Sequence, residues 1–97
     1  MPFAAQSDLM LKIGAFIWVR ADHEQTGEPA SAIQAAVKKY SISTAAAQAA
    51  YENFMRTWDR PQERIQLARI WFFTMAEMCS ELGVDLDAEL ERVATAG

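Results

Sequence analysis

Residues 7–25, SDLMLKIGAFIWVRADHEQ, decide the fold of this chain. Leu9, Ile13, Phe16, Ile17 and Arg20 recur at the spacing of one face of an α-helix, while Met10, Leu11, Trp18 and Val19 make its other faces apolar. A helix of this kind is buried nearly all round. It belongs at the centre of a domain, or is partly covered by another subunit. Ser7 is a suitable cap for its start and Gly27 for its end, and Gly14 would let a neighbouring helix approach closely.

Four more helices follow. Pro29 fits the first turn of the second, in which Ile33, Ala36, Val37 and Tyr40 form one stripe. Ser41, Ile42 and Ser43 interrupt it, and Ser43 caps a third helix to about residue 57, with Ala47, Ala50, Tyr51, Phe54 and Trp58 in line. Asp59 is the expected cap of the fourth helix, with Pro61 in its first turn. Its predicted packing seam is Ile65, Ala68, Phe72, Met75, Cys79 and Leu82, and Ile70, Trp71 and Phe73 lie off that seam as a second apolar surface. Gly83 ends it, and Asp85 caps a short last helix tied down by Leu86, Leu90 and Val93. No Asn-Gly or Asp-Gly turn and no sustained alternation appears, so strands are not expected. The predicted architecture is a single all-α domain over 1–97, a compact orthogonal or bundle-like arrangement of about five helices.

The composition agrees with a folded domain: 97 residues, 52% hydrophobic against 23% charged. One Cys and one His cannot form an intramolecular disulfide, a zinc-finger ligand set or a Cys-x-x-Cys redox pair. Residues 1–8 carry no positive cluster, and the apolar run 9–19 is shorter than the about 20 residues a bilayer span needs. The stretch 65–82 is long enough but contains Arg69, Glu77 and Glu81. These features predict a cytoplasmic protein with no membrane contact.

The net charge of −4 argues against indiscriminate binding to nucleic acid or anionic lipid. It is unevenly spread. Lys38, Lys39, Arg56, Arg60, Arg64 and Arg69 outweigh Glu52, Asp59 and Glu63 in the middle, whereas the end carries Glu77, Glu81, Asp85, Asp87, Glu89 and Glu91 against Arg92 alone. The two regions either solvate separate faces or complement each other within the fold or across a dimer. Arg56, Arg60, Arg64 and Arg69 cluster in sequence around Trp58, and Arg with Trp is a composition enriched in protein–protein hot spots. These five are the candidate partner-binding residues, set against a reading in which Trp58 is core and the arginines are solvated.

Residues 36–50 resemble a helix-turn-helix, with Ala36, Tyr40, Ile42, Ala47 and Ala50 at that motif's buried positions. Val37 stands where a small residue is usual, and Ser41 replaces the usual turn glycine. The resemblance implies base contacts from Thr44, Gln48 and Asn53 and phosphate contacts from Lys38, Lys39 and Arg56, a sparse set of cations for reading a duplex.

No catalytic, cofactor or metal residues are assigned. His23 lies between Asp22 and Glu24, but helix neighbours point about 100° apart and cannot close on one ion, so it reads as a helix-end histidine favoured by the dipole. Glu77 and Glu81 share a face without an accompanying Glu-x-x-His, and Cys79 on an apolar face reads as an inert thiol. The expected function is therefore non-catalytic: a small helical regulatory or adaptor protein of the inhibitor, antitoxin or assembly-factor type. It acts through a protein partner and self-associates, for its large apolar residues exceed what so short a chain readily buries. The alternative is a small DNA-binding regulator using residues 36–56.

Overall fold

The computed structural model describes residues 2–25 and 28–96, with side chains described over 8–25 and 28–95. Its elements are α1 (Pro2–Glu24), α2 (Ala30–Tyr40), α3 (Thr44–Trp58), a 3₁₀ turn (Pro61–Glu63), α4 (Arg64–Leu82) and α5 (Leu86–Ala96), with no strand among the described residues. The described residues form an all-α fold of five helices.

α1 is the central element. Residues 13–17 are all buried, and each of the three apolar clusters contains a piece of α1. Ile13, Phe16 and Ile17 pack with Ile33 and Ala36 of α2 and with Ala47 and Ala50 of α3. Ala15 meets Phe54 of α3 and Leu67 of α4. Val19 meets Met75, Met78 and Cys79 of α4, against which Leu86, Leu90 and Val93 of α5 close. Each large side chain buried in this way stabilises the fold by about 1.5–3 kcal/mol.

The helix ends correct several expectations. Ser7 does not cap α1, which already starts at Pro2; Pro suits a first turn, and nothing in the Phe-Ala-Ala-Gln that follows breaks a helix. The helix stops at Gln25, which takes the left-handed conformation with φ 54° and bonds back to the Ala21 carbonyl at 3.1 Å. Gly27, the expected stop, lies outside the described residues. Asp59 ends α3 instead of capping α4. The cause is Pro61, whose ring forces the preceding Arg60 into extended backbone (φ −94°, ψ 112°), so the chain leaves the helix there and re-enters only after a 3₁₀ turn. Ser43 caps α3 through a 3.1 Å bond from the Ala46 N–H, Asp85 caps α5 through a 3.0 Å bond from the Ala88 N–H, and Gly83 closes α4 at φ 70°.

The predicted α4 seam is the largest correction. Of Ile65, Ala68, Phe72, Met75, Cys79 and Leu82, only Met75 and Cys79 are buried. The buried row is Leu67, Thr74, Met75, Met78 and Cys79, with Ile70 and Trp71 partly covered. Leu67, Trp71, Thr74 and Met78 are spaced as regularly as the predicted seam. The polar Thr74 disguises that row in sequence; in the structure its hydroxyl donates to the Ile70 carbonyl at 2.7 Å and is satisfied within the helix.

Candidate interaction surface

Because α4 turns Leu67, Thr74 and Met78 inward, its opposite face points to solvent. Ile65 is 73% exposed, Phe73 67% and Phe72 41%. The two rings pack edge to face with centroids 6.1 Å apart, so they form one apolar surface. Phe72 and Phe73 thus form an exposed apolar patch of the kind that marks interaction sites, and Ile65 adds a third exposed apolar side chain two turns away on the same helix.

Arg69 lies within this face. Beside it a groove of about 410 Å³ opens between α1 and α4, lined by Asp8, Lys12, Gln66, Arg69, Ile70 and Phe73. One carboxylate and two cations thus frame an apolar floor.

The five candidate partner-binding residues do not form one patch. Trp58 is half-buried, stacked with Phe54 (centroids 6.0 Å) and edge-on to Trp18 (4.9 Å). Arg64 is held at the α3–α4 corner, where its Nε donates to the Trp58 carbonyl at 2.7 Å. Arg60 stands near Glu63 at 3.6 Å, and Arg56 is exposed on the last turn of α3. Arg69 is separate from these, since five residues along a helix turn it about 140° away from Arg64.

Residues 36–50 form a helix, a tight turn and a capped second helix. Ser41 occupies the left-handed turn position at φ 54° with its N–H bonded to the Val37 carbonyl, and Ala36, Ala47 and Ala50 are buried with Tyr40 and Ile42 packed on them. Thr44, Gln48, Lys38 and Lys39 are exposed and Asn53 is half-exposed. Some of these are already engaged. Lys39 pairs with Glu81, whose hydrogen bond raises its pKa, and its Nζ stands 5.5 Å from the Phe16 ring centroid. Gln48 donates to Glu52 at 3.3 Å, and Thr44 accepts from Gln34 at 3.4 Å.

His23 has a partner that helix periodicity could not supply. Its Nδ1 lies 2.6 Å from Glu89 Oε2 of α5. Arg92 grips the same carboxylate through Nε at 3.1 Å and Nη2 at 3.0 Å, and Nη2 also reaches Asp22 Oδ2 at 3.0 Å. Glu89 is buried, and the Arg92 hydrogen bonds, aided by His23, hold its pKa down at about 2 against the opposing cost of burial. An ionised carboxylate only accepts, so Nδ1 carries the proton that bridges α1 to α5. The only sequence signal for this cluster was the acidic C-terminal region facing an isolated Arg92. Burial pushes the Cys79 thiol up, which keeps it protonated and poorly nucleophilic. Among the described residues, no group of three or more His, Cys, Asp and Glu is arranged to hold a metal ion, and no helix is long and apolar enough to cross a membrane.

The chain matches no protein-family model, no curated protein and no solved structure.

Proposed function

We propose that this chain is a non-catalytic helical regulatory or adaptor protein that acts by binding protein through the outer face of α4, and that it self-associates there. One observation carries the reading: Ile65, Phe72 and Phe73 face solvent on a helix whose other side already supplies the core. Full burial of a side chain of this size is worth about 1.5–3 kcal/mol, and the exposed part of that is forgone at each position, least at Phe72. The arginines of the α3–α4 corner contribute less than their sequence clustering implies, since Trp58 is packed inward and Arg64 is tied to the backbone.

Hydroxyl-radical footprinting of the intact chain over a dilution series tests the reading. Phe72 and Phe73 lose reactivity as concentration rises, whereas Met55, exposed on α3, keeps it. Unchanged reactivity at both phenylalanines contradicts it.

A second reading, a DNA-binding regulator, draws support from the turn geometry of residues 36–50 and the exposure of Lys38, Gln48 and Arg56. The engagement of Lys39 by Glu81 weighs against it. Anisotropy of pooled duplex fragments at low and moderate salt decides: phosphate contacts give binding that weakens steeply with salt, and flat traces at both remove the reading.

A further inference from the structure

The charges along α4 are sorted by position. Arg64 and Arg69 fall in its first half, Glu77 and Glu81 in its second, and neither half holds a charge of the opposite sign. Arg64 is engaged with the Trp58 carbonyl and Glu81 with Lys39. Among the described residues, Arg69 and Glu77 remain exposed with no ion pair or hydrogen bond from their side chains, Glu77 interacting only at longer range with Lys39 and Tyr40. They are eight residues apart, about 12 Å along the axis and about 80° around it, with Phe73 at the midpoint.

We infer that the partner on this face is a second copy of the chain, whose α4 lies antiparallel across a two-fold axis beside Phe73, so that Arg69 of each protomer faces Glu77 of the other. This rests on the self-association reading above. A parallel pairing sets Arg69 against Arg69 and Glu77 against Glu77, which is repulsive at both ends; only the antiparallel one satisfies both charges. It also brings Phe73, the most exposed aromatic ring among the described residues, onto its own symmetry mate with Phe72 beside it, while Ile65, eight residues from Phe73, lies outside the Arg69–Glu77 pairs. The groove beside Phe73 opens on the same face and is roofed by the other protomer's helix.

Sedimentation equilibrium of four full-length proteins tests the arrangement: wild type, Arg69→Glu, Glu77→Arg and the double variant. Both positions are exposed, and far-UV circular dichroism checks that the helices are kept. Each single reversal sets like charges opposite each other and weakens the dimer by about tenfold or more, and the double variant restores it to near the wild-type level. A wild-type chain that stays monomeric removes this inference together with self-association. A dimer indifferent to the single reversals, or one that the double variant fails to restore, overturns the antiparallel arrangement while leaving self-association standing.

Discussion

Gly14 of α1 lies against Ala50 of α3 so closely that a β-carbon on Gly14 would stand 2.5 Å from the Ala50 carbonyl oxygen and equally near the Phe54 Cβ. Two of the three obstructing atoms belong to the backbone of α3, so the helices must separate to admit a methyl group. The close approach of α1 to α3 at this point thus depends on one absent side chain.

Gly14→Ala therefore destabilises the protein despite alanine's better helix propensity. The propensity gain of up to about 1 kcal/mol is outweighed by an overpacking cost of about 1–3 kcal/mol or more. Urea denaturation should give a lower midpoint with an unchanged slope, and a midpoint at or above wild type would show that the crossing is looser than described.

Arg92→Ala leaves the buried Glu89 with His23 as its remaining partner, and because Arg92 itself is partly exposed the loss is about 1–3 kcal/mol. Glu89→Gln combined with Arg92→Met removes the charge on both sides and loses much less. Thermal melts of the two variants give the order, and equal losses would mean that Arg92 acts only through its apolar stem.

The same carboxylate makes stability depend on pH. Glu89 titrates at about 2 in the folded chain, below an ordinary glutamate value of about 4.3, so it binds protons more readily when unfolded. Its contribution is fully present above the unfolded value and disappears as pH falls from about 5 toward 2. Wild-type stability should drop through that window, and the Glu89→Gln, Arg92→Met variant should drop less steeply. Parallel pH profiles would assign the acid sensitivity to other carboxylates.

Much of the fold is legible because it is written in local periodicity and capping. The all-round apolar pattern of 9–19 predicts a central helix, and residues 13–17 are buried on every side. Ser43, Gly83 and Asp85 do the capping that their residue types suggest. Periodicity fails where a helix is apolar on more than one face: Phe72 and Leu67 sit on equally regular rows of α4, and only the neighbours supplied by α1, α3 and α5 decide which row is buried. A sequence window cannot weigh those neighbours. For the same reason the bridge from His23 to Glu89, 66 residues apart, left no local trace. The exposed α4 surface was half legible, Phe73 being off the expected seam and Phe72 assigned to it.

The mass of the intact chain in solution, by sedimentation equilibrium across a wide concentration range, tests the proposed self-association most directly. The exposed α4 face predicts a rise from the single-chain 10.8 kDa to about twice that value. Phe73→Glu, which changes a side chain that contributes little to the core, should hold the protein at the lower mass. A wild-type mass that remains at 10.8 kDa up to the highest concentration reached would contradict it.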